Sequence, residues 1–334
     1  MNGPLLRRVL AAVGALAVAA LAVWPQVFGL SGVPVIANAI AVRGLMATGA
    51  LLLALAAGVV LLVRRRRAPA AGRKATRTWA WVVVWCVLVA VGHVAVLTAR
   101  GLSGVTGAEP APAGPGRTVV LELNTQGKVP AAALAGLVAE RRADVVALPE
   151  TSRATAERAQ AMLAAQGLHY RVLAEVLSGG TNPSTAALVA QHLGRYRVVQ
   201  RGPAATFAVA GSGPPLTFVH TTAPVDPTLT RWRTSTRAAV AACSSRPEGI
   251  VVGDFNATLD HPAFDLLDGC VDAASVAGDA GVATWPTALP RWLGTPIDHV
   301  LVDPSVWTVE RAAVLRPPHG ADHRALEVVL TPAG

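Results

Sequence analysis

The strand-like run Val251-Val252-Gly253 ends in Asp254, with Asn256 two residues on, so two hard polar groups stand where a sheet can hold them rigidly. The same arrangement recurs along the C-terminal two thirds of the chain. Asn124 closes an apolar run that begins at Thr118, Glu150 one that begins at Asp144, and His220 one that begins at Pro215. Asp298 lies in the run Ile297 to Val302, and Asp322-His323 stands just ahead of Leu326 to Leu330. Singly, an Asp or Asn after a strand is a turn former, and one His is an ordinary surface or core residue. Together they supply the carboxylates, amides and imidazoles that phosphoester hydrolysis needs. A phosphodiester repels an incoming nucleophile, so the site needs a divalent cation and a positioned, activated water. Mg²⁺ (or Mn²⁺) takes oxygen ligands, which suits Glu150 helped by Asn124 and Asp322.

The order of these blocks carries more than their chemistry. Val251 to Thr258, Pro296-Ile297-Asp298-His299-Val300 and Gly320-Ala321-Asp322-His323-Arg324 are accompanied by strands ending in Asn124 and in Pro149-Glu150-Thr151, and by Val219 to Pro224. From Thr118 to Leu330 the chain thus resembles the endonuclease/exonuclease/phosphatase superfamily, which includes nucleases, sphingomyelinases and inositol polyphosphate phosphatases. The resemblance implies an α/β (α+β) domain, a four-layered sandwich of two β-sheets flanked by helices, with the site at one edge. It implies that Asp254 orients or deprotonates the water, that Asn256 donates a hydrogen bond to that water or to the phosphate, and that His220 stabilises the pentacovalent phosphate. His323 would meet the phosphate or act as base, its tautomer held by Asp298; which group takes the proton stays open. Two departures matter: Leu123 and Pro149 stand where the better-known nucleases often carry an aromatic and a Gln. Their substrate contacts at those positions do not carry over.

Elements must position these groups. Apolar runs at 118–123, 144–148, 185–190, 215–220, 249–252, 297–302 and 326–330 read as buried strands, and 130–142, 153–166 and 229–242 as helices. Alternation along a strand turns His299 away from Asp298 and out of the cleft. His169, His261 and His319 read as surface residues, Trp285 and Trp292 as loop aromatics packed on the core, and Asp272 as a turn or cap.

A hydrophobic fraction of 52% and a mean hydropathy of +0.46 exceed what a soluble chain carries. Three runs, about 9–30, 44–63 and 79–97, each approach the ~20 residues a helix needs to cross the hydrocarbon core. Residues 1–100 therefore read as a three-span anchor, 101–116 as a Gly/Pro/Ala linker and 117–334 as the catalytic domain. The length of the first run and the two later spans favour retention over a cleaved signal peptide. Of the eleven Lys/Arg in residues 1–100, nine lie before the first run or between the second and third. By the positive-inside rule the N-terminus is cytoplasmic and the domain extracytoplasmic, at the cell membrane.

The net charge of +9 belongs to the anchor: residues 1–100 hold eleven Lys/Arg and no acid, which leaves 18 Lys/Arg against 20 Asp/Glu, a net −2, in the remainder. A domain of that charge, in which Arg231, Arg233 and Arg237 read as a solvated helix face, does not favour nucleic acid. The expectation is a membrane-anchored hydrolase of phosphodiester or phosphomonoester bonds, a lipid head group being the substrate within reach. An extracellular nuclease and a catalytically silent envelope scaffold are the alternatives. Cys86 falls in the third run, and an oxidising exterior permits a Cys243–Cys270 disulfide, the alternative being two buried thiols.

Overall fold

The computed structural model describes residues 3–67, 73–102, 116–176, 184–225 and 227–334. Residues 103–115, most of the expected linker, lie outside the described residues. By its contacts the chain divides into two units, Met1–Ala99 and Arg100–Gly334.

The first unit is helical: α1 (Gly3–Val23), α2 (Pro34–Ala41), α3 (Arg43–Arg67) and α4 (Arg73–Arg100). Two segments are long and apolar enough to cross a membrane, Arg43–Arg66 and Arg77–Arg100, with mean hydropathies of 2.5 and 2.4. The expected first span, 9–30, is corrected: among the described residues its apolar helix is the shorter Ala12–Val23. Pro25 disfavours helical geometry at Trp24, so α1 stops and a 3-10 turn, Pro25–Phe28, follows. Two candidate spans stand where three were expected.

Small residues let these helices approach. Ala19 and Val23 pack with Ala50, Val89 and Ala90, and a Cβ on Gly92 would fall 2.7 Å from a Val23 methyl carbon. The Arg43 guanidinium donates to the Val23 carbonyl at 2.9 Å and meets His93 Nδ1 at 3.1 Å. A cationic donor thus caps the last turn of α1. Leu52, Leu53, Leu55, Val59 and Val91 are exposed, the inverse of a water-facing surface.

The second unit runs β1 (Thr118–Glu122), α5 (Ala131–Arg141), β2 (Val145–Pro149), α6 (Arg153–Ala164), β3 (Tyr170–Val176), β4 (Ser184–Ala190), β5 (Tyr196–Arg201), β6 (Phe207–Gly211), β7 (Leu216–His220), α7 (Leu229–Ser244), β8 (Ile250–Asp254), β9 (Val271–Asp272), α8 (Ala273–Ala277), β10 (Asp298–Val302), β11 (Trp307–Val314) and β12 (Leu326–Pro332). These strands form two six-stranded mixed sheets, ordered β11-β12-β1-β2-β4-β3 and β5-β6-β7-β8-β10-β9. Each has a parallel pair at its centre, β1 with β2 and β7 with β8, joined through α5 and α7 respectively.

Alternation sorts the apolar side chains. Leu121, Leu123, Val146 and Leu148 face α5 and α6, while Val120, Val145 and Ala147 meet Phe218, Val252 and Val300 of the other sheet. On the far side, α7 lays Trp232, Ala239 and Val240 on its sheet. Helices, sheet, sheet and helix make up the layers, an α/β sandwich. Cys243 of α7 and Cys270, just ahead of β9, form a disulfide with Cα atoms 6.4 Å apart; Cys86 is a free, buried thiol.

Candidate active site

Register places the first three groups. Asp298 opens β10 opposite Asp254, which ends β8, and His220, which ends β7, is the other neighbour of Asp254. The three side chains therefore lie in one row across three adjacent strands. Gly253 makes the row possible: its φ is +148°, and a Cβ there would lie 2.0 Å from the Val219 carbonyl oxygen.

The other sheet supplies Asn124 and Glu150 just past the ends of β1 and β2. Asn124 Nδ2 donates to Glu150 Oε1 at 3.1 Å and to Asp254 Oδ2 at 3.0 Å, so one amide bridges the two sheets. Its Oδ1 accepts from the Gln126 amide at 2.9 Å. Glu150 and Asn256 both have left-handed backbones, φ +52° and +47°, of the kind retained where the surroundings over-determine them. At Asn256 those surroundings are visible. Its carbonyl accepts from the Trp232 indole at 2.9 Å, its Nδ2 donates to the Thr221 carbonyl at 3.0 Å, and its amide donates to Asp254 Oδ1 at 2.7 Å. The Asn256 backbone amide thereby braces the Asp254 carboxylate.

His323 lies against Asp298, Nδ1 to Oδ2 2.9 Å. Burial alone would lower the His323 pKa, but the Asp298 carboxylate outweighs it and raises the imidazole to about 9. Burial would raise Asp298, and the His323 cation instead holds it below the usual carboxylate range. His220 goes the other way: burial lowers it despite the nearby Asp254 carboxylate. At neutral pH the site therefore offers one imidazolium and one neutral imidazole, as two unequal environments dictate. Asp254 is raised by burial and then by Asp298, which suits a group that takes a proton.

Two of the expected metal candidates, Asn124 and Glu150, border this row. Glu150 Oε1 is 3.7 Å from His220 Nε2, and Asp322 Oδ2 accepts from the Trp285 indole at 3.3 Å. Asp322 Oδ1 is buried and meets no donor among the described residues. Hard oxygens, one of them buried and unmatched, fit a divalent cation of the Mg²⁺ type. The metal-competent atoms that come within 4.8 Å of one another belong to Asp254, Asp298 and His323. Within that group His323 Nδ1 is already paired with Asp298 Oδ2.

Several neighbours escaped the sequence reading. Glu122 is fully buried beside Asp298 and the Asn124 backbone. Burial, then the Asp298 and Asp254 carboxylates, push its pKa well above the usual carboxylate range. The period of two along β1 was its signal, since it shares a face with Asn124. Thr284 Oγ1 accepts the Ile297 amide at 3.2 Å beside Asp298. Trp285, read as core-packed, is 37% exposed with its ring centroid 6.5 Å from that of His323. His261, read as a surface residue, is buried, and its Nδ1 accepts the Thr258 amide at 2.8 Å. His169 and His319 are exposed, and His299 points away from the row to Asp272 and the Ala257 carbonyl.

A two-sheet α/β sandwich whose central strands end in Asp, Asn, Glu and His defines the class of phosphoester-cleaving folds. Residues 121–323 match the model of the Endonuclease/Exonuclease/phosphatase family, and the chain belongs to it. Members of that family are hydrolases acting on phosphoester bonds and typically use divalent metals. Similar solved structures include an endonuclease/exonuclease/phosphatase from Beutenbergia cavernae, 18% identical, covering 65% of this chain and 72% of that one with a TM-score of 0.52. At that identity the likeness is one of fold. A D. rerio TDP2 bound to a single-strand DNA product (15% identity, 64% and 99% covered, TM-score 0.49) and the Bacteroides thetaiotaomicron mannosyl-6-phosphatase Bt3783 (13%, 64% and 99%, 0.48) are also similar. Among curated proteins none matches.

Proposed function

We propose that the chain is a membrane-anchored, divalent-metal-dependent hydrolase of phosphodiester or phosphomonoester bonds that works at the outer face of the membrane. The observation that carries this is the row His220–Asp254–Asp298, completed by His323 and bridged through Asn124 to Glu150. Glu150 and Asp322, with Asn124, would hold Mg²⁺ or Mn²⁺, which supplies charge neutralisation of the phosphate when bound. The protein groups do the rest. Asp254, fixed by Asn124 and Asn256, orients the attacking water and accepts its proton. The His323 imidazolium, held by Asp298, donates to a phosphate oxygen and stabilises the charge that grows there. His220, neutral, offers a second hydrogen bond to the pentacovalent phosphate.

Two features support the location. The disulfide suits an oxidising compartment. The basic segment 64–77 between the two candidate spans faces the cytoplasm by the positive-inside rule, which puts Arg100 and the catalytic unit outside whether or not α1 crosses. An anchored domain there is within reach of lipid head groups, and its net −2 disfavours a nucleic-acid groove.

The test is hydrolysis by the full chain in detergent of a chromogenic phosphodiester, a phospholipid, and single- and double-stranded DNA, with Mg²⁺ and with excess chelator. Metal-dependent turnover should fall by about 10² or more in Asp254→Asn. Turnover that survives both the chelator and the substitution would sink the reading; preference for DNA would move it to a nuclease.

A further inference from the structure

Arg324 follows the Asp322-His323 pair, and its guanidinium is committed to backbone carbonyls. Its Nη1 donates to the carbonyls of Pro286 at 3.1 Å and Ala283 at 3.4 Å, and its Nη2 to those of Leu289 at 2.6 Å and Thr287 at 3.4 Å. Its own amide donates to the Thr284 carbonyl at 2.7 Å. Among the described residues it makes no ion pair. One guanidinium thus gathers four carbonyls of the segment 283–289, a task for a planar fork of donors and not for the point charge of a Lys.

That segment touches the catalytic loop at three further points. The Thr287 amide donates to the Asp322 carbonyl at 2.8 Å, Thr287 Oγ1 to the Ala321 carbonyl at 3.1 Å, and the Trp285 indole to Asp322 Oδ2 at 3.3 Å. The last contact leaves Oδ1 of the same carboxylate as the buried, unmatched oxygen. The exposed ring of Trp285 stands beside His323.

We propose that Arg324 is a positioning residue: it clamps segment 283–289 onto the loop of Asp322 and His323, so that Trp285 fixes the Asp322 carboxylate for the cation and walls the phosphate site. The proposal rests on the phosphoesterase reading for its effect on turnover, but the clamp itself does not. Its span is set by the four carbonyls, which Lys cannot reach together, so Arg324→Lys counts as a loss although it keeps the charge.

The experiment compares the full chain with Arg324→Ala and Arg324→Lys in amide hydrogen exchange, in Mg²⁺ affinity measured by calorimetry, and in phosphodiester turnover. The Thr287 amide should exchange faster in both variants while Val252 and Val300 keep their protection, which shows that the sheets have formed. Mg²⁺ affinity should fall by about 10–100-fold, the usual cost of losing support behind a metal-holding carboxylate. kcat should fall with KM little changed, and free guanidinium should restore both Thr287 protection and kcat to Arg324→Ala. Where Arg324→Ala does not fold, Arg324→Lys carries the exchange and affinity tests. Unchanged Thr287 exchange would overturn the clamp; faster exchange with unchanged Mg²⁺ affinity and kcat would overturn the positioning role. A loss confined to KM and absent in Arg324→Lys would make Arg324 a phosphate contact instead. A chain that hydrolyses no phosphoester would sink the functional reading alone, since exchange and Mg²⁺ affinity still judge the clamp.

Discussion

At the scale of the residue, the site divides its labour by environment. Two histidines of the same ordinary pKa are driven apart, His323 up to about 9 against burial by its Asp298 partner and His220 down by burial. Asp298→Asn removes the charge that sustains the His323 cation. The His323 pKa should fall, so the alkaline limb of the kcat/KM profile should move to lower pH, with a loss of about 10² or more in kcat at neutral pH. A profile that keeps its alkaline limb would mean that His323 is not the group titrating there. Most of the polar set was legible in sequence because each member ends or opens an apolar run. Glu122 was not, because a carboxyl inside the apolar run 118–123, at the end of β1, signals neither turn nor cap. Its raised pKa follows from burial and then from Asp298 and Asp254, far away in sequence.

Among elements, the seven strands read from sequence all have counterparts in the fold, and the missed ones are β3, β5, β6, β9 and β11. Four of these are the outer strands of the two sheets. An outer strand buries little of itself, so β5 carries Arg197, Gln200 and Arg201 and shows no apolar run. Between elements, two buried links make measurable predictions. His299 Nδ1 bonds Asp272 Oδ2 at 2.9 Å, and Asp272 Oδ1 accepts the Ser275 amide at 2.8 Å as the cap of α8. Burial would lower His299, but Asp272 raises it above the roughly 6.5 of an unfolded chain. The stabilisation from this pair is therefore complete below pH ~6.5 and is lost as pH climbs through the folded value. His299→Gln should flatten the fall in Tm as pH rises above ~6.5, and an unaltered fall would refute the assignment. The disulfide closes a 27-residue separation, so Cys243→Ala with Cys270→Ala should cost about 3–4 kcal/mol of unfolding free energy in denaturant. A cost near zero would mean that the link constrains the unfolded chain little.

For the molecule as a whole, charge and hydropathy divide the chain at the same place. The basic excess and the long apolar helices lie in Met1–Ala99, and the acidic balance and the polar cluster lie in Arg100–Gly334. The outward placement depends on the basic segment 64–77 and two spans, whereas a cytoplasmic N-terminus also needs α1 to cross. A reporter that is active only outside the cytoplasm, fused after Gly334, should be active; the same reporter before Met1 tells whether α1 crosses. Silence of the C-terminal fusion, with a cytoplasmic reporter active in its place, would overturn the outward placement.

The sequence by itself determined which residue types end the central strands and where apolar length concentrates, because both are local patterns with a period of two or a run of sufficient length. Its order of blocks was enough to indicate the family. Tertiary structure alone decided that Asn124 and Asn256 bond Asp254, that burial beside Asp298 and Asp254 pushes Glu122 up, and that Arg324 gathers backbone carbonyls. Those last outcomes depend on groups brought together from opposite sheets and distant loops. No local periodicity records which partner a buried donor will find across that distance.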